Sequence, residues 1–225
     1  MADAMVPPDL EKIDTSIVVL SAVQKEVKLS SQEIASVIKD PQAAVVGQGI
    51  GQPPAQVQIT SLRDQVIVTI MGGKFLFEDK SDVLPGTHRL PEIVDGFLNL
   101  LRKQGVDRFR AYGINFTVEF DSRGDQAVSE IIAERYLNRK ALSEKGQIAV
   151  LGAGLRLFFQ HVDAMCDMKI EPRKGKVDSP RFFAHINYNF DLPDETMPPL
   201  QDLMTKYLGL WPQFTQLLDT LVVRS

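Results

Sequence analysis

Arg108–Asp121 reads RFRAYGINFTVEFD, and Arg181–Pro193 reads RFFAHINYNFDLP. In the first stretch Tyr112, Ile114, Phe116, Val118 and Phe120 alternate with Ala111, Gly113, Asn115, Thr117 and Glu119. In the second, Phe182, Ala184, Ile186, Tyr188 and Phe190 alternate with Phe183, His185, Asn187 and Asn189. A period of two sustained this long specifies a strand with one buried face, because successive side chains of an extended chain point to opposite sides. Both stretches open Arg-Phe, carry an alanine two places after that phenylalanine, hold an Ile-Asn pair and close Phe-Asp. The shared letters fit one structural part used twice, as two ribbons laid beside each other under shielding helices. A duplication into two related halves is the alternative.

Around these strands the pattern changes to helical. LPEIVDGFLNLLRKQG (Leu90–Gly105) has proline near its start, Glu92 at the positive end of the dipole, Arg102 and Lys103 at the negative end, and a glycine to end it. Ile93, Val94, Phe97, Leu98, Leu100 and Leu101 give it a broad apolar stripe. Asp125–Leu142 has a weaker stripe of Val128, Ile131, Ile132 and Tyr136. A C-terminal helix opens at Pro199, and Pro212 kinks or restarts it. Val57–Met71 reads as a tight hairpin, and Gln147–Gln160 with Val162–Arg173 read as consecutive strands.

The resulting order, ββ-α-β-α-βββ-α, predicts an α+β fold with an antiparallel or mixed sheet covered by amphipathic helices. Upstream, Ser16–Val23 reads as a strand, and SSQEIASVIKDP as a helix with a Ser30–Glu33 capping box, stopped by Pro41. Gly47, Gly49, Gly51, Pro53 and Pro54 break the chain between them and the rest. The expected division is an N-terminal arm over 1–46, a linker over 47–56 and a main domain over 57–225.

Composition narrows the function classes. The chain has 225 residues and a net charge of −4, which disfavours unspecific attraction to nucleic acid. The lone cysteine, Cys166, rules out an intramolecular disulfide. MADAMVPPD lacks the basic and apolar regions of a signal peptide, and no apolar run reaches the ~18 residues that cross a bilayer. A cytoplasmic protein with no membrane association is expected.

No motif specifies a reaction, and no cofactor or metal is expected. The glycines at 47, 49 and 51 miss the dinucleotide fingerprint, since position 52 is glutamine and Pro53-Pro54 blocks the helix that would receive a phosphate. His161, Asp163, Asp167 and His185 include metal-ligating types without a ligand spacing; a turn explains the first two. Cys166, flanked by aspartates, reads as a packing residue.

Three sets of residues remain as site candidates. Glu119, Asp121, His185 and Asn187 suit a small-ligand or enzyme pocket between sheet and helices. Arg173, Lys174, Lys176 and Arg181, beside Phe182 and Phe183, suit phosphate or single-stranded nucleic acid. Leu208, Leu210, Trp211 and Phe214 overfill one helical stripe and suit a protein partner or self-association into a homo-oligomer. With no catalytic motif, a non-enzymatic interaction or assembly protein is the leading expectation.

Overall fold

The computed structural model describes residues 9–23, 25, 27, 29–40, 44–48, 56–63, 65–85, 89–122, 126–137, 153–173, 176 and 178–223. The chain builds β1 (Glu11–Ser21), α1 (Ser31–Ile38), β2 (Ala44–Gln48), β3 (Gln56–Ser61), β4 (Val66–Met71), β5 (Lys74–Asp79) and α2 (Leu90–Lys103). It then builds β6 (Phe109–Asp121), α3 (Val128–Tyr136), β7 (Leu155–His161), β8 (Ala164–Pro172), β9 (Arg181–Asp191) and α4 (Leu200–Leu218), which runs into a π-helical turn over Asp219–Val223. The nine strands form one sheet in the order β2-β3-β4-β5-β1-β6-β9-β8-β7, and every neighbouring pair is antiparallel. The α+β class is as the sequence predicted, with the antiparallel form of the sheet.

The two ribbons, β6 and β9, are direct neighbours, and their register accounts for the echo. Antiparallel pairing sets the Arg-Phe head of β9 against the Phe-Asp tail of β6. Arg181 faces Asp121, and Phe182 faces Phe120 with ring centroids 4.9 Å apart. At the other end Tyr112 stacks on Phe190 at 4.7 Å, and Asn115 lies opposite Asn187. The likeness therefore reflects cross-strand complementarity.

A repeat does exist, but in topology and along a different seam. Outward from the β1–β6 contact the order is β1, β5, β4, β3, β2 on one side and β6, β9, β8, β7 on the other. Among the described elements each side runs strand, helix, strands, helix. The strand equivalent to β6 is thus β1, not β9. Glu11–Ser21, expected in an arm outside the main domain, lies at the centre of the sheet with hydrogen-bonded neighbours on both sides. A short β-branched run announces a strand, but nothing local says where in a sheet the strand will sit. Of the glycine-proline stretch, Gly47 belongs to β2 opposite Val57; residues 49–55 lie outside the described residues.

The four described helices lie over one face of the sheet. α2 packs on β1 and β5, α3 on β8, and α1 and α4 flank α2. The apolar side of each strand faces them: Ile17 and Val19, Phe75 and Phe77, Ile114 and Phe116, Ile186 and Tyr188 are all buried. α1 begins with the expected capping box, in which the Glu33 backbone N–H donates to Ser30 Oγ and the Ser30 backbone N–H donates to Glu33 Oε2 at 2.8 Å. Pro212 does not end α4, which continues through Leu218. Among the described residues no helix is long and apolar enough to cross a membrane.

Candidate functional site

With the helices on one side, the polar rows of the central strands are left on a helix-free face. Asp14, Ser16, Val18 and Leu20 of β1, Lys74, Leu76 and Glu78 of β5, Gly113, Asn115 and Thr117 of β6, and Phe183, His185, Asn187 and Asn189 of β9 line an open trough of about 620 Å³. It straddles the seam between the two topological halves.

Its centre is a hydrogen-bonding strip. Asn115 Nδ2 donates to Ser16 Oγ at 3.0 Å. Thr117 Oγ1 donates to Asp14 Oδ1 at 3.0 Å and lies 3.0 Å from His185 Nδ1. The hydroxyl proton is committed to the carboxylate, so His185 donates from Nδ1, and Nε2 becomes the acceptor. Burial holds the His185 imidazole below its ordinary pKa, against the pull of Asp14 and Asp167 and with a smaller push from Lys169. Among the described residues, Asn187 Oδ1 is buried and accepts no hydrogen bond. Gly113 leaves the space in front of it open: a Cβ there would come within 3.1 Å of that oxygen. An orphaned acceptor over a bare glycine suits a donor from a bound molecule.

Most of the charges around this strip pair with one another. Arg156 holds Asp167 through two bonds of 3.0 and 2.7 Å, which keep that carboxyl below its ordinary range. Lys169 pairs with Glu171 at 2.6 Å, and Lys80 lies 2.9 Å from Glu78 and 3.4 Å from Asp14. At one end Arg181 meets Glu119, Asp121 and Glu11 at 3.3, 3.2 and 2.7 Å, and Arg173 meets Glu119 at 3.2 Å.

These contacts relocate the residues singled out from sequence. Glu119, Asp121, His185 and Asn187 do not line a cleft between sheet and helices; their parity puts them on the opposite face. His185 and Asn187 share the trough, while Glu119 and Asp121 are engaged by arginines. Those arginines are two members of the basic set, so the carboxylate and phosphate candidates pair with each other. Lys176 is exposed, and Lys174 lies outside the described residues. Of the apolar four, Leu208 is exposed, Leu210 and Phe214 are buried, and Trp211 packs edge-on against Phe116 at 5.4 Å. Leu208 apart, that stripe is spent inside the molecule, because α4 lies over the sheet.

The metal candidates are dispersed in the same way. His161 Nε2 bonds Gln213 Oε1 at 2.6 Å, Asp163 takes Lys206 at 2.5 Å, and no group of three ligating side chains occurs among the described residues. Cys166 is buried, and burial pushes its thiol up to about 11. Sequence alone passed over Asp14, Ser16 and Thr117. The signal for Thr117 was its place in the polar row of β6; for Asp14 and Ser16 it needed the knowledge that β1 lies beside β6.

No protein-family model matches the chain, and no curated protein matches it. Among solved structures it is similar to one titled "Methanococcus jannaschii TBP", at 12% identity and a TM-score of 0.31, over 90% of this chain and 99% of that one.

Proposed function

We propose that this chain is a non-enzymatic interaction protein that holds a protein partner on the helix-free face of its sheet. The carrying observation is the trough at the seam, with the unpaired Asn187 Oδ1 in its floor. Strands about 4.8 Å apart, rising about 3.3 Å per residue, give a nine-stranded face of roughly 40 by 20 Å. That is close to the roughly 800 Å² each partner contributes to a standard interface. The face mixes neutral amide and hydroxyl groups with Val18, Leu20, Leu76 and Phe183, and its ion pairs are internal. With Lys74 the one trough cation not engaged by a carboxylate among the described residues, such a surface favours a protein over a phosphate backbone, which is held by many unpaired cations.

Site-specific photo-crosslinking in cells tests this. A crosslinking residue at Phe158 or Asn189, both on the open face, is expected to give discrete protein adducts. The same residue at Gln201, on the outer side of α4, is expected to give none. Adduct mass separates a second copy from a different protein. Equal labelling from Gln201, no adducts from the face, or adducts to nucleic acid would each reject the proposal.

A further inference from the structure

A second cavity lies on the opposite, helix-bearing side, between the β7 end of the sheet and α4. Its volume is about 290 Å³, and Phe159, His161, Tyr188, Gln213 and Leu217 are among its walls. Tyr188 is 2% exposed. Its ring is fixed edge-on by His161 and Phe116, each 6.2 Å away. Among the described residues its hydroxyl makes no hydrogen bond, whereas its neighbours are satisfied. His161 bonds Gln213 at 2.6 Å, and the Thr220 hydroxyl donates to the Gln216 carbonyl at 2.9 Å. With no partner there, the hydroxyl is left to donate into the cavity that its ring lines.

The lining defines the ligand. A space of this size falls at the lower end of small-molecule sites, roughly 300–1,000 Å³, and suits a single ring. Phe159 and Leu217 supply apolar walls. The lining contains no carboxylate, lysine or arginine among the described residues, so an ion would enter with no fixed counter-charge other than a protonated His161. Burial holds the Tyr188 phenol well above its ordinary pKa, which keeps it a donor. We propose that this cavity binds a small uncharged ring-containing molecule whose acceptor oxygen takes a hydrogen bond from the Tyr188 hydroxyl. The site is separate from the open face and does not depend on its role.

The test uses the full chain with acetophenone, ethylbenzene and benzoate as probes, followed by thermal shift and by the emission of Trp211, the sole tryptophan. Acetophenone is expected to bind saturably, more tightly than ethylbenzene, with benzoate excluded. Tyr188→Phe is expected to weaken acetophenone about three- to tenfold, the worth of one neutral hydrogen bond, and to leave ethylbenzene unchanged. The same variant should melt no lower than wild type, since it breaks no internal bond. Leu217→Trp, which fills the cavity, is expected to bind neither. Failure of the wild type to bind acetophenone would overturn the proposal. So would equal affinity for acetophenone and ethylbenzene, undiminished binding in either variant, or a lowered melting temperature for Tyr188→Phe.

Discussion

Lys12 and Asp79 show what a single buried charge does here. Their side chains are fully buried, 2.5 Å apart, on β1 and β5. Asp79 also accepts from the Ser81 N–H at 2.8 Å and from the Ser81 hydroxyl at 2.6 Å. Removing one member of such a pair leaves the other charge desolvated without its counter-charge. Lys12→Met is therefore expected to cost about 3–5 kcal/mol in urea denaturation. Adding Asp79→Asn should recover part of that loss, because the stranded charge goes with it. His185 behaves differently. Its imidazole titrates lower in the folded chain than the ordinary value of 6.5, so the unfolded chain takes up the proton first. Stability from this residue is complete above pH 6.5 and declines as the pH falls below it through the folded value. His185→Gln should flatten that part of the stability profile measured across pH; an unchanged slope would show that other groups produce it.

Helix α2 illustrates an element fixed by its neighbour. Its apolar stripe follows the sequence, yet Gly96 sits mid-helix, where glycine costs about 1 kcal/mol relative to alanine. The reason is the approach of α1: a Cβ on Gly96 would fall 2.7 Å from Val37 Cγ1. Valine is stiff about its first side-chain torsion and cannot swing aside. Gly96→Ala is expected to lose more through overpacking, about 1–3 kcal/mol, than it gains in helix propensity. Val37→Ala in the same background should restore much of the loss. A more stable Gly96→Ala, by thermal melting, would mean that α1 yields freely. Strands β6 and β9 make the complementary case. Their faces were legible from alternation alone, and their shared letters are explained once they stand side by side.

At the scale of the molecule, the seam between β1 and β6 joins two topologically similar halves into one sheet. Tyr207, from α4 of the second half, reaches Thr15 of the first, with the two hydroxyls 2.8 Å apart, and Phe116 and Phe214 continue the core beneath it. A core shared in this way predicts one cooperative unit. Urea unfolding followed by Trp211 emission, in the second half, should coincide with loss of amide protection in β4 and β5, in the first. Two separated transitions would make the halves independent domains.

By itself the sequence determined most of the strands and helices, the apolar faces of α2, β6 and β9, and where α1 is capped; β2, in a stretch read as linker, was not among them. Those properties are local: alternation, the helical stripe and end chemistry act within a few residues. Only the tertiary structure decided that β1 stands at the centre of the sheet, that Arg173 and Arg181 neutralise Glu119 and Asp121, that the Trp211 stripe turns inward, and that Asp14, Thr117 and His185 form one hydrogen-bonded chain. Each of these joins residues far apart in the chain. Strand order and the covered side of a sheet are set by the packing of the whole core, for which no single stretch carries the information.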